Sequence, residues 1–521
     1  MSRANLLALF ALGLTVAIIV ASLQNSPGYM DADYYMAGGL RLVQGHGFSE
    51  MIVWNYLDDP QGLPHPSHSY WMPLASIIAA FGMWLTGQHD FYSARLPFIL
   101  LAGLVPPLTS LLAYRLTERR ELALLSGLLA AFPTYQAPFI ATTSNFVIYN
   151  LLGAIFFIGL SGDSRKGFFC AGLSVGLMNL ARSDGLLWLP LGFLAILLYS
   201  IGVHGMQIRH WAWFFVSTAF FVLFGYLLIM LPWFIRNLSE FGTLMAPGGL
   251  RAIFLVAYAD TFAYPASVLT FERWLDSGWA AIIDVRVSAF WTNLGTSLAA
   301  QGGIVLWPFV LFAAWRLRRD FRIQVGVFAW LVLFMVMTII FPFAGPRGSF
   351  YHAGASLLPL GWALAPVGLD FIVVEARRRN WFTPQAQRVF RVMLFAIISA
   401  LTIVLINIRV INGDWDSSDH AFRQVEFHLQ AVGANPQDIV MVTNPPGYYI
   451  ASGRAAVVSP ASELSFVFQS ARVYKIRYLI LQSHSIPERL VPFLKSPHST
   501  DELHLVFAEP NVVVYEFVRN E

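Results

Sequence analysis

The chain has one cysteine among 521 residues, Cys170. That excludes an internal disulfide and any cysteine-ligated metal cluster, and because Cys170 lies within an apolar run it reads as a small buried hydrophobe. Charge is scarce as well. Asp, Glu, Lys and Arg make up 12% of the chain, against roughly 25% in soluble domains, while hydrophobic residues reach 57% with 43 Phe and 16 Trp. One water-facing globule of this length cannot bury that much apolar surface, so lipid forms part of the solvent. Neither sign is in excess. The 33 basic and 30 acidic residues leave a net charge of +3, which offers nucleic acid no general attraction and makes the positions of the charges more informative than their sum.

What the chain does have is apolar runs of about 20 residues, the length that crosses a bilayer as a helix. The first spans Asn5 to Leu23, behind Ser2 and Arg3. With no small-residue cleavage site ahead of a soluble domain, it reads as an uncleaved anchor and not as a signal peptide. Others lie at 96–114, 121–138, 144–161, 167–182, 185–203, 211–233, 299–315, 323–343, 350–369 and 390–410, about eleven in all. Basic residues in short loops resist translocation and mark the cytoplasmic side. Arg3 precedes the first run. Arg115, Arg119 and Arg120, then Arg165 with Lys166, Arg209, the group Arg316, Arg318, Arg319 and Arg322, and the group Arg377, Arg378, Arg379 and Arg388 fall at every second loop, as an alternating path requires. The far side then receives 24–95, 233–298 and everything after about 411. Pro73 to Gly87 (PLASIIAAFGMWLTG) is apolar but only about 15 residues long, and its crossing would invert every basic loop. A run of that length lies along a surface, here the outer one, with Trp84 at the headgroups.

The C-terminal part differs in kind. From Asp414 onward DIVMVTNPP, RAAVVSP, RYLILQ and the hairpin-like LHLVFAEPNVVVYEFV are short β-branched runs bounded by Pro, Gly and Asn, the pattern of strands. They predict a small extracytoplasmic α/β domain over 411–521, after a transmembrane domain over 1–410 whose first outer loop, 24–95, carries interfacial helices. With no Gly-rich phosphate loop in the C-terminal part, packing, acceptor docking and regulation are equal readings of it.

Between their ends the spans carry essentially no Asp, Glu, Lys or Arg, whereas coupled transporters and proton pumps need ionisable groups near mid-membrane. Chemistry is thereby confined to an edge. On the outer side, polar and titratable residues collect in 24–95 and at Arg182, Asp184, Arg236, Arg347 and His352. Met36, Leu40 and Val43 recur at helical spacing behind Asp31 and Asp33, predicting a short amphipathic helix on the bilayer. Either one of these acids caps that helix, or one is a general base that takes a proton from an acceptor hydroxyl at the membrane surface. His65 and His68 follow in HPSH. Pro66 favours extended geometry, so they are not the one-face helical pair that holds zinc; they either donate to a phosphate or are loop residues without a role. A divalent metal would find only Asp31, Asp33, His65 and His68 as ligands, and no other cofactor is implied. Arg182, Arg236 and Arg347 fall at the outer ends of three spans. Each either snorkels to the interface or meets a phosphate, whose developing charge a planar guanidinium in a water-poor site stabilises. Pro232-Trp233 and Tyr351-His352 frame the same zone or form only an interfacial aromatic belt.

The order of these features resembles the GT-C class of polytopic glycosyltransferases, in particular the bacterial aminoarabinose transferases and the protein O-mannosyltransferases. The matching pieces are the acidic motif with paired tyrosines after the first span (Asp31 to Tyr35), GLRLVQGHGF, MPLASIIAAFGMWLTG, LARSDGLLWLP and PWFIRNLSEFGT. They cover residues 1–245 well and the later spans loosely, and their order is more specific than any one of them. The resemblance implies a lipid-linked sugar donor, usually a polyprenyl monophosphate sugar, and transfer on the outer face with inversion at the anomeric carbon. Asp31 stands at the place of the first acid of the family's Asp-Glu pair, which makes it a base or an acceptor-orienting carboxylate. Ala32 replaces the second acid and Asp33 follows one position on, so the base is either Asp31 or Asp33. Arg182 falls where the family has a basic residue at the lipid phosphate, and Asn145 where many members carry an acid. Tyr34, Tyr35, Asn145, Tyr351 and His352 are expected to line the substrate cavity.

The expectation is an α-helical polytopic membrane glycosyltransferase of the cell envelope, in a prokaryotic inner membrane. It moves a hexosyl or pentosyl group from a polyprenyl phosphate to a glycan, lipid or protein acceptor, with the isoprenoid tail in a lateral groove between spans. Its rivals are a lipid-binding or transport protein presenting the same outer cavity, and an oligosaccharide ligase or polymerase that uses a lipid diphosphate donor.

Overall fold

The computed structural model describes residues 1–161, 165–204, 208–383, 385–482 and 486–518; of Arg209, one of the basic loop residues, only the backbone lies within the description. The chain divides into two compact units, each gathered from separate stretches. Met1–Gln24, Arg95–Arg236 and Val285–Asp414 form the first, and Asn25–Ala94, Asn237–Asp284 and Trp415–Glu521 the second.

Among the described residues seven helices are long and apolar enough to cross a bilayer: Arg3–Ser22 (α1), Phe91–Thr117, Ser183–Val203, Trp211–Phe241, Phe321–Ile340, Gly345–Arg378 and Ala386–Ile411. Each coincides with an expected run. The other four runs are helical but shorter, as Arg120–Ala131, Asn145–Leu160, Arg165–Ala181 and Trp307–Arg316. A 16-residue helix such as Asn145–Leu160 reaches about 24 Å, less than the roughly 30 Å of hydrocarbon. Two of the shortened runs break where the backbone turns left-handed, at Thr134 (φ 46°) behind Pro133 and at Gly303 and Ile304 (φ 50° and 63°). Cys170 is exposed, contrary to the buried role read from its apolar surroundings. In lipid an apolar side chain has no need to turn inward.

The second unit is built on a sheet. Besides Ser49–Glu50 (β1) and His65–Pro66 (β3), which pair antiparallel, its strands are Ile52–Val53 (β2), Ile439–Val442 (β4), Ala456–Val458 (β5), Ile476–Gln482 (β6), Leu503–Glu509 (β7) and Val512–Phe517 (β8), in the spatial order β2-β5-β4-β6-β8-β7. The first four pair in parallel, and β8 and β7 run antiparallel to close the far edge. Alternation along the strands makes two cores. Met441, Val457, Leu479 and Val513 pack with Val53 and Tyr56 on one face, while Val440, Ala456, Ile480 and Val514 pack with Phe422, Leu429 and Tyr448 on the other. The strands expected over 411–521 are all present. The edge strand β2 comes instead from the first outer loop, so 24–95 and 411–521, separated in the sequence, share one sheet.

That loop also supplies Met30–Val43 (α2) and Leu74–Thr86 (α3). Gly38 and Gly39 of α2 lie against Ser76 and Ala79; a Cβ on them would stand 2.6 Å from Ser76 Oγ and 3.0 Å from Ala79 Cβ. Every residue of α2 from Ala32 to Gly39 is buried. It is therefore not the surface-lying amphipathic helix that its spacing suggested. α3 is the two-faced one, burying Ala75, Ala79 and Met83 and exposing Phe81, Trp84 and Leu85.

Candidate functional site

The expected site residues fall in two groups, one in each unit. In the second unit, Asp31 and Asp33 occupy the first turn of α2. Neither caps it: the N-cap position belongs to Tyr29, with no side-chain cap hydrogen bond. Asp31 is half-buried. Asp33 is 6% exposed and accepts a hydrogen bond from Asn444 Nδ2 at 2.9 Å. Burial first, and then the negative charges of Asp419 and Asp31, push its pKa up to about 7 despite the Asn444 bond.

The remaining second-unit candidates are turned into the fold. His65 is 7% exposed; its Nε2 lies 3.2 Å from Glu50 Oε1 and 2.9 Å from the Ile52 carbonyl, and its Nδ1 3.1 Å from that of Pro66. Those contacts hold the β1–β3 pair together. His68 is fully buried, with Nδ1 at 3.1 Å from the Trp71 carbonyl and its backbone N–H donating to Tyr34 Oη at 2.9 Å. Neither imidazole is the exposed phosphate donor that the loop reading allowed. Tyr34 and Tyr35, at 2% and 1% exposure, do not line an open cavity. Tyr34 sits edge-on to His68 and Trp71, and Trp71 stacks on Trp54 at 3.9 Å, so the paired tyrosines are the aromatic packing that seats α2. Asp33, His65 and His68 each engage a different partner, and among the described residues no group of three or more His, Cys, Asp or Glu is arranged to hold an ion.

In the first unit, three separate stretches converge. Arg182, which ends the Arg165–Ala181 helix, places Nε 2.8 Å from Asp184 Oδ1, both side chains being under a tenth exposed. This ion pair replaces the snorkelling geometry of an interfacial arginine. Tyr149 Oη donates toward the Met178 carbonyl at 3.1 Å and lies 3.4 Å from Asp184 Oδ2. Asn145 starts the same helix as Tyr149 and is 1% exposed. Next to it Phe146 stacks on His352 at 3.9 Å and meets Tyr351 at 4.7 Å. His352 also lies within the electrostatic reach of Arg182. A glycine makes the convergence possible: a Cβ on Gly153 would stand 1.9 Å from the Ser356 carbonyl oxygen, so only a bare Cα lets the Asn145–Leu160 helix meet the segment that carries Tyr351 and His352. Arg347 is exposed on the turn whose Gly348 approaches the His352 ring. Arg236 is half-buried with its guanidinium over the Trp233 ring at 4.8 Å.

The segment after His352 also walls an apolar cavity of about 330 Å³, into which Gly354, Leu357 and Leu358 project opposite Leu298, Trp307 and Trp330. Its polar atoms are satisfied from within: both tryptophan N–H groups donate to Ser297, at 2.6 and 3.0 Å, and Gln301 Nε2 to the Phe350 carbonyl at 3.2 Å. What remains is a greasy lining two residues along the chain from His352.

Sequence reasoning singled out Arg182 and Asp184 but not their pairing, and it missed Tyr149, Glu50 and Asn444. For Asp184 the i, i+2 spacing was a usable signal. None existed for Asn444.

The fold is that of the GT-C polytopic membrane glycosyltransferases. Two sets of solved structures define it. ArnT from Cupriavidus metallidurans in the apo state shares 12% identity at a TM-score of 0.56, with 99% of each chain covered, and the same protein bound to undecaprenyl phosphate aligns at 0.54 over 100% of this chain and 99% of that one. The oligosaccharyltransferase of Archaeoglobus fulgidus aligns at 0.55 with 12% identity over 92% of this chain and 70% of that one. No family model matches the sequence, and no curated protein matches it. With seven apolar helices among the described residues and this fold, the chain is an integral membrane protein.

Proposed function

We propose that this protein is a membrane glycosyltransferase that moves a sugar from a polyprenyl-phosphate donor to an acceptor on the outer face of a prokaryotic inner membrane, with inversion. The observation that carries the reading is the fold shared over the whole chain with ArnT, which was captured with undecaprenyl phosphate. The apolar cavity beside His352 suits an isoprenoid tail. The oligosaccharide-ligase alternative is less well supported, since the chain covers 70% of the archaeal enzyme and its conceivable metal ligands do not converge.

Asp31 is the base, because it keeps partial exposure while Asp33 is buried against Asn444. Asp31 takes the acceptor's hydroxyl proton as that oxygen bonds to the anomeric carbon from the face opposite the phosphate. The bond from that carbon to the phosphate oxygen breaks, and its electron pair leaves with the polyprenyl phosphate. One displacement inverts the centre. Arg182, held by Asp184, meets the charge that develops on the phosphate, with Arg236 and Arg347 as further cations. Asn145, Tyr351 and His352 shape the site, and Tyr34 and Tyr35 seat the helix that carries the base.

The test uses the purified protein in vesicles with a labelled polyprenyl-phosphate sugar. Wild type transfers label; Asp31→Asn loses about 100-fold or more in rate and still binds donor; Arg182→Ala binds donor more weakly. Donor binding without transfer by wild type returns the protein to the lipid-binding class, and an Asp31→Asn variant as fast as wild type moves the base to Asp33.

A further inference from the structure

We infer that Asn444 is a positioning residue for the carboxylates of α2, which makes the C-terminal α/β part a working piece of the catalytic site. The inference rests on the reading above, in which Asp31 and Asp33 serve the transfer. Asn444 stands at the N-cap of the Pro445–Ser452 helix, where its Oδ1 accepts from the Gly447 N–H at 3.2 Å. That contact fixes the amide, because only an oxygen can face an N–H, and its Nδ2 must then point at Asp33. Among the described residues Asn444 is the one hydrogen-bond partner of the Asp33 carboxyl. The approach depends on Gly447, where a Cβ would stand 2.9 Å from Asp33 Oδ2 and 2.6 Å from Asn444 Nδ2.

Of the groups that face Asp33, only Asn444 favours its ionised form. Asp31, on the same turn, and Asp419, on the Ser417–Ala431 helix, both oppose it, although Arg423 pairs with Asp419 at 2.7 Å. Asp31 and Asp33 share the first turn of α2 and the charge of Asp31 acts on Asp33, so the bond that seats Asp33 also bears on Asp31.

Asn444→Asp in the full-length protein is the discriminating variant. Asp caps a helix as well as Asn does, so the Gly447 contact survives, but the donor facing Asp33 becomes an acceptor. A role confined to capping leaves the pH–rate profile unchanged. A positioning role moves its acid limb, which reports the coupled Asp31–Asp33 pair, upward by about one pH unit or more, and lowers kcat at neutral pH with donor KM unchanged. A profile that superimposes on wild type overturns the inference. Asn444→Ser, a capping residue too short to reach Asp33, gives the same readout where Asn444→Asp does not fold. A second measurement needs no transfer: the carboxyl-linked loss of thermal stability extends to higher pH in Asn444→Ser than in wild type. An inactive wild type with that displacement defeats the functional reading and leaves the contact standing, whereas coincident melting profiles defeat the contact itself.

Discussion

At the scale of single residues, Asp33 sets a pH dependence whose sign follows from two numbers. Its carboxyl ionises near 3.8 in the unfolded chain and near 7 in the fold. Below both values the two states hold the same proton. Between them only the folded state keeps it, so stability falls as pH rises through this window, and above about pH 7 a constant deficit remains. At 1.36 kcal/mol per pH unit that deficit is roughly 4 kcal/mol. Asp33→Asn keeps an acceptor for Asn444 and cannot ionise. Its melting temperature should exceed that of wild type at about pH 8 and converge with it toward about pH 4; parallel melting profiles in thermal-shift assays would show that Asp33 is not the group responsible. The two acids were legible in the sequence because they open a helical pattern next to a span. Their environment was not. The residue that answers Asp33 lies 411 positions away, and the two histidines that looked like loop donors are core side chains because β1 and β3 close over one and the rings of Tyr34 and Phe48 over the other.

At the scale of elements, the first-unit cluster depends on how near two helical segments approach. Gly153→Ala places a methyl where the Ser356 carbonyl already is, and the segments must separate, at a cost of about 1–3 kcal/mol or more. The expected outcome is a lower melting temperature together with weaker donor binding, as Tyr351 and His352 move off Phe146. Unchanged donor affinity would mean that this stack does not shape the donor site. Long apolar runs declared themselves as helices, and alternating β-branched runs as strands. Two kinds of element did not. The strand β2 has two residues, too few to display a period of two, and the breaks at Thr134 and at Gly303–Ile304 fall inside runs drawn by length and hydropathy, where Pro133 and the Gly302-Gly303 pair were the local turn signals. Composition reports what solvent a segment prefers, and not where its backbone turns.

At the scale of the whole molecule, the basic loops make the orientation testable. A reporter fused after residue 90 should read outside, as should one fused in the C-terminal part. A cytoplasmic signal at residue 90 would mean that Leu74–Thr86 crosses, although its 13 residues reach only about 20 Å as a helix. Seven spans and the class of fold were legible because hydropathy and charge are local properties. The division into units was not, since each is gathered from three separated stretches and the order of the chain hides which of them share a core. A basic loop residue also does more than mark topology: Arg119, together with Arg391 of the last apolar helix, binds the buried Asp370, each at 2.5 Å.

The parallel pairing of β2 with β5 carries a consequence for biosynthesis. Ile52 sits beside Ala456, so the strand next to α2 waits for a partner made about 400 residues later, roughly 20 to 80 s at ordinary rates of translation. For that interval α2 and the edge strand β2 are present without the rest of the sheet and without Asn444. A nascent chain therefore carries its acidic motif long before the motif is seated, and on the proposed function no transfer precedes the synthesis of Asn444.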